Sequence, residues 1–209
     1  MTHPINIPAA RQTELRHIAR LNRYTGRSPF QGVRFTSVAE LDWVFAEFGW
    51  NADQSYRLQG ISGDLSGADL HGLDLTGVAW INVKLVGANL RRVVCQRANL
   101  YFADLSEADL READCTGARL GRARLSKADA AGALFVRADL RGAQCHQTNF
   151  AEADFTEADL TLANLRRANL QWADFTETRI EHTDLLNAII DGATLLMYSD
   201  LALAALDQG

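Results

Sequence analysis

The chain has 209 residues, enough for one large domain or a domain with an added end segment, and its formal charge of −5 argues against nucleic acid as a direct partner. Three cysteines make no even disulfide set, which fits a reducing cytoplasm. The start, Met1-Thr2-His3-Pro4, lacks a basic stretch followed by an apolar run, so no secretory signal is expected, and no apolar stretch of about 18 residues is present to span a membrane.

In chain order, Ala9 to Tyr24 reads as a helix. Leu15, Ile18, Ala19 and Leu21 give it a partly apolar face, and Arg11, Arg16, Arg20 and Arg23 a basic one. Ser28-Pro29-Phe30-Gln31-Gly32 and Val33-Arg34-Phe35-Thr36-Ser37 then read as a short extended piece made of two degenerate repeat units, with Phe30 and Phe35 as their centres. Ser37-Val38-Ala39-Glu40 is a capping-box signature. It opens a second helix with Val38, Leu41, Phe45 and Phe48 on one side, ending at Gly49.

From Leu65 to Leu195 every fifth residue is apolar apart from a small Ala130, without a slip of register, which makes 27 consecutive units. Sixteen centres are Leu, four Phe and two Ile; the others are Trp80, Cys95, Cys115, Ala130 and Cys145. Two residues before the centre stands Ala in 19 of the 27 units, and between them a polar residue, often Asp or Asn. Neither the three-and-four spacing of a helix nor the alternation of a flat strand fits this period. Two inward residues in every five require a corner in each unit, with short extended pieces between corners, and a fixed short period of this kind marks a solenoid. At the far end, Asp200 to Leu206 reads as a short helix, with Ser199 in the position expected of its N-cap.

Units such as Ala68-Asp69-Leu70-His71-Gly72 and Ala158-Asp159-Leu160-Thr161-Leu162 resemble the pentapeptide repeat family, whose pattern is A(D/N)LXX. The resemblance covers residues 61–198. It implies an all-β solenoid, a right-handed quadrilateral β-helix with four units per coil and about seven coils, roughly 32 Å long at about 4.8 Å per coil. An open β-helix needs its ends covered. The expected organisation is therefore an N-terminal helical cap with two degenerate units (1–60), the β-helix (61–198), and a C-terminal capping helix and tail (199–209). Trp43, Phe48 and Trp50 are expected to plug the first coil.

Four units per coil places residues 20 apart in one column. One inward column is Leu75, Cys95, Cys115, Phe135, Phe155, Phe175 and Leu195, an aromatic ladder next to a vertical pair of cysteines. An outward column, Asp64, Lys84, Asp104 and Arg124, alternates in sign. Residues 146–199 hold nine acidic and three basic side chains, and Arg91, Arg92, Arg97 and Arg111 form a basic cluster before them.

No column collects the His, Cys or carboxylate ligands of a metal, Cys145 and His146 point to opposite sides of the wall, and no phosphate-binding glycine loop is present. The expectation is a protein that is not an enzyme, with no cofactor, no bound metal and no catalytic residues. The reading is a cytoplasmic protein-interaction scaffold, its partner unidentified, with an acidic partner-binding surface formed by Asp139, Asp154, Glu157, Asp159, Asp174 and Glu177. The alternative implied by the resemblance is a DNA mimic that binds DNA gyrase or topoisomerase and modulates or protects it. Either reading admits a homodimer through the C-terminal helix.

Overall fold

The computed structural model describes residues 7–24, 27–48 and 63–191. From residue 63 onward, parallel bridges join residues 20 apart, beginning with Asp64 to Lys84 and ending with Asn169 to Ile189. Four units thus close one turn, and 129 described residues at 20 per turn make about six and a half turns. The last units of the expected seven coils lie outside the described residues. The four walls are named here by their centres in one turn: Phe155, Leu160, Leu165 and Leu170.

The unit built on Leu110 shows where each backbone N–H goes. Leu110 and Glu112 donate up the stack to the carbonyls of Asp129 and Ala131 at 2.6 and 3.1 Å. Asp114 donates down it to Val93 at 2.9 Å, and Ala113 closes the turn onto Leu110 at 3.0 Å. The fifth, on Arg111, has no backbone acceptor and donates to the Asp109 side chain at 3.2 Å. The same side-chain bond recurs at Asp74, Asn89, Asp104, Asp154, Asn164 and Asp174. This is why Asp and Asn precede so many centres: their short side chains satisfy the one N–H that the ladder leaves over.

The second residue after each centre is left-handed at all 25 corners from Gly67 to Asn187, and 18 of these residues are not glycine. A turn whose third residue has positive φ is the type II arrangement. It suits glycine and costs an L-residue about 1–2 kcal/mol. Lys127, at φ 62°, is exposed. Lys127→Gly is expected to stabilise the chain by about 0.5 kcal/mol, the relief of strain exceeding the added freedom of glycine in the unfolded state. A urea midpoint shifted upward, with an unchanged slope, is the check.

Inside the stack the centres and the small residues are buried up to Phe175 apart from the half-buried Val78, and toward the end Thr178, Ile180, Ala188 and Ile190 are half-buried. Phe135 stacks on Phe155 at 5.2 Å and 9°, and Phe155 on Phe175 at 5.3 Å and 20°, while Phe150 meets Phe135 and Phe155 edge-on. Where Thr replaces the small Ala, its hydroxyl finds a carbonyl one coil away: Thr148 donates to Leu125 at 2.7 Å, Thr178 to Phe155 at 2.7 Å and Thr183 to Leu160 at 2.8 Å.

Before the stack lie two helices, α1 (Ala9–Tyr24) and α2 (Val38–Glu47). Between them, Arg34 bridges Asp69 in parallel, Gly32 donates to Gly67 at 2.8 Å, and Asp69 donates to Val33 at 2.8 Å. Phe30 and Phe35 are fully buried and Gly32 takes the left-handed corner. The offset from 34 to 69 is 35 residues where the repeat uses 20, so this first turn carries an insertion of 15 residues containing α2.

The contacts at this end differ from the expected plug. Phe45 stacks on Trp80 of the rod at 5.2 Å and 9°. Phe48 packs edge-on against Phe30, and Trp43 lies under the Arg16 guanidinium at 5.0 Å. Trp50 is outside the described residues, as are Gly49, Leu195 and the expected C-terminal helix. Leu21, expected on the buried face of α1, is 51% exposed, while Leu15 and Ala19 are buried. Two arginines of the basic α1 face are spent on α2: Arg11 pairs with Glu40 at 3.1 Å and Arg16 with Glu47 at 2.6 Å.

Candidate functional site

Asp139, Asp154, Glu157, Asp159, Asp174 and Glu177 fall on two adjoining walls. Asp154 and Asp174 lie in the outward column of the Phe155 wall, Asp139 and Asp159 in that of the Leu160 wall, and Glu157 and Glu177 on the corner between them. Ion pairs neutralise part of this strip. Arg137 grips Glu157 with two bonds at 2.7 and 2.8 Å, and Arg141 grips Asp139 at 2.7 and 2.8 Å. Together with Asp159, Glu177 and Arg179 they line an open groove of about 400 Å³. The hydrogen bonds from Arg137 hold the Glu157 carboxyl below its ordinary range, and those from Arg141 do the same for Asp139.

The six carboxylates have different duties. Asp154, Asp159 and Asp174 each accept the backbone N–H two residues on, at 2.8, 3.0 and 2.8 Å, so the fold itself calls for them. Glu157 and Glu177 sit at corners, where the backbone asks nothing of the side chain beyond positive φ. Arg179 was counted among the basic residues of 146–199, but the pairing of Arg137 and Arg141 was not foreseen; Arg137 stands 20 residues before Glu157 and Arg141 two after Asp139, and those spacings were the signal.

The basic cluster divides over two corners. Arg91 and Arg92 both bond to Glu112 at 2.7 Å, and this double contact pulls the Glu112 carboxyl down to about 2. Arg111 turns back onto Asp109. Arg97 belongs to the next corner, in the column of Arg137 and Glu157. In the alternating column, Arg124 approaches Asp104 at 3.9 Å. Such exposed pairs, screened by water, hold side chains in place more than they hold the fold.

Cys95 and Cys115 face each other across one coil spacing, Sγ to Sγ 2.8 Å, as free thiols within the core. The hydrogen bond between them, with burial, raises the Cys115 thiol well above its ordinary range. Burial alone pushes Cys145 up to about 12. Thiols held neutral in this way are poor nucleophiles. Among the described residues no group of three or more His, Cys, Asp or Glu side chains converges as a metal site, and no helix is long and apolar enough to cross a membrane.

The family model described as pentapeptide repeats matches in eight copies, over segments that together run from residue 88 to 196. Among solved structures, similarity is found to HetL, a pentapeptide repeat protein involved in heterocyst differentiation regulation from the cyanobacterium Nostoc sp. strain PCC 7120. It is 25% identical, with 62% of this chain and 79% of HetL covered and a TM-score of 0.36. QnrB1, a plasmid-mediated fluoroquinolone resistance protein, is 20% identical over 68% of this chain and 84% of its own, with a TM-score of 0.35. Rfr23, a pentapeptide repeat protein of the cyanobacterium Cyanothece 51142, is 24% identical over 61% and 91%, with a TM-score of 0.17. No protein with a curated description matches the sequence.

Proposed function

Because the chain belongs to the pentapeptide repeat family, we propose that it is a non-enzymatic scaffold of the cytoplasm, holding charged and aromatic side chains in fixed rows for a protein partner to read. The observation that carries this reading is the division of labour inside the unit. Centre and small residue fill the core, and the Asp or Asn before the centre is spent on a backbone N–H. The two residues after the centre are left to carry Arg137, Arg141, Glu157, Glu177 and Tyr101 at coil-to-coil intervals of about 4.8 Å. Side chains pre-set in this way lose little freedom when a partner arrives.

The Phe155–Leu160 corner is the proposed contact. A photo-crosslinking amino acid at Glu177, in cells producing the chain, is expected to give one discrete adduct that Glu157→Lys weakens and a crosslinker at Glu107, on a different corner, does not give. No discrete adduct at Glu177, or the same adducts from both positions, overturns the reading.

A second reading is the gyrase-binding DNA mimic, favoured by the gathering of all six predicted carboxylates on adjoining walls. Its difficulty is charge density: DNA carries about one negative charge per 1.7 Å of axis, whereas Arg137, Arg141 and Arg179 interrupt this strip. Supercoiling by purified gyrase, with the protein titrated in and a quinolone present or absent, separates the two. Inhibition or protection that disappears in Asp154→Lys/Asp174→Lys supports the mimic, and an unaffected enzyme removes it.

A further inference from the structure

The corner between the Leu160 and Leu165 walls carries a second kind of surface. Tyr101 and Phe102 meet edge-on at 4.4 Å, and Arg122 of the next coil stands 5.9 Å over the Phe102 ring. The Tyr101 ring lies against Gly121, where an added methyl group would stand 2.6 Å from it. Two coils beyond Arg122 in the same column, Leu162 is 64% exposed. Both Phe102 and Leu162 are held at positive φ, an unfavourable conformation for bulky apolar residues. Solvated Asn or Gly would serve such corners at lower cost, as Asn82 and Gly142 do in the same column.

We propose that this corner binds a second copy of the chain, side by side and antiparallel, about a two-fold axis passing between the coils of Arg122 and Gly142. The column pattern is the warrant. That operation sets Phe102 against Leu162 of the second copy, and Leu162 against its Phe102. On the Leu160 side it sets Arg119 against Asp139, and on the Leu165 side Lys84 against Asp184. Apolar meets apolar on both sides of the axis, where Arg122 faces Gly142; two flanking pairs join opposite charges, Arg124 faces Gln144, Asp104 faces Asn164, and no like charges meet, as an isologous interface requires.

Neighbouring registers and corners do worse. An axis through the coil of Arg122 opposes Arg119 to Arg119, and one through the coil of Gly142 opposes Asp139 to Asp139 and Arg141 to Arg141. Between coils at the corner after the Leu170 wall, the operation sets Asp109 against Asp129. At the corner after the Phe155 wall, it sets the exposed Leu134 against Asp114. Like charges facing each other select against those dimers, and an isolated leucine gains nothing opposite a carboxylate.

Sedimentation equilibrium on the full chain is expected to show a dimer, with Leu162→Arg weakening association about tenfold or more. Lys84→Asp weakens it too, and Lys84→Asp/Asp184→Lys restores it. Because Cys95, Cys115 and Cys145 are buried, oxidation of a folded Phe102→Cys/Leu162→Cys chain is expected to link two copies, while Leu162→Cys alone does not. A chain that stays monomeric at millimolar concentration overturns the proposal. So does a dimer unaffected by Leu162→Arg, or one that dissociates only when residues 199–209 are removed. Circular dichroism matching the parent chain in each variant keeps misfolding from being read as lost association.

Discussion

In Phe155→Asp the solenoid is expected to lose its cooperative unfolding transition and its β signal by circular dichroism. Phe155 is fully buried and touches three other rings: Phe135 and Phe175 in its own column, Phe150 edge-on from the next wall. Truncation alone, Phe155→Ala, costs about 3–5 kcal/mol through lost burial and the cavity left behind. A carboxylate there adds the cost of a buried charge with no partner, because the walls around it are Leu, Ala and Phe and their backbone N–H groups are already bonded to neighbouring coils. A solenoid has contacts only between neighbouring coils, so the damage divides it into two shorter stacks, each with a newly exposed end. The conservative partner, Phe155→Leu, is expected to fold with a lowered midpoint. Intact β structure in the Asp variant would contradict the inward placement of the column.

The inward pattern was legible because burial repeats. Leu110, Phe155 and Ala158 each stand where a period of five puts them, and residues 20 apart do pair. What the period could not convey was the identity of the corner. Nothing in the residues Arg92, Phe102, Glu112 or Trp172 signals positive φ, since these types avoid it; ladder bonds on both sides impose it on them. The duty of Asp109 or Asp154 was hidden for a related reason. A carboxylate bonded to an N–H two residues on looks, in sequence, like any solvated repeat position. The place of the six acidic candidates on adjoining walls comes from the stacking of residues 20 apart, while the acidic excess that picks them out was legible by simple counting. The neutralising grip of Arg137 on Glu157 was not, because it depends on which way two long side chains lean at a corner. At the N-terminal end, the basic stripe of α1 looked outward-facing. Only the fold brings Glu40 and Glu47, 29 and 31 residues later, opposite Arg11 and Arg16.

That pairing sets the second large effect. Glu40 is buried and accepts four bonds: two from Arg11 at 3.1 and 3.2 Å, one from the Thr36 N–H at 3.1 Å and one from the Thr36 hydroxyl at 3.0 Å. In a simple capping box the carboxylate would return to the Ser37 N–H; here it ties the first turn of α2 to α1 and to the segment that enters the stack. Glu40→Ala leaves Arg11 and Thr36 without that partner and is expected to loosen both helices by about 3 kcal/mol, the lower end of the cost of breaking a buried pair. Because end units of a solenoid open independently, the loss should appear as faster amide exchange in α1 and α2, with the coils around Phe155 unchanged. The same contact gives a pH dependence. Burial alone would raise the Glu40 carboxyl; the bonds from Arg11 and Thr36 outweigh it and hold the group below its ordinary value of 4.5. A lowered value in the folded state means stabilisation that is complete above that ordinary value and is lost as pH falls through the folded one. Protection of the α2 amides, taken relative to the intrinsic exchange rate at each pH, is therefore expected to fall below about pH 4.5 in the parent chain, with Glu47, held low by Arg16, contributing in the same direction. Glu40→Gln should begin less protected and respond less to acid. Equal acid responses in the parent and Gln chains would show that Glu40 does not hold this end of the molecule together.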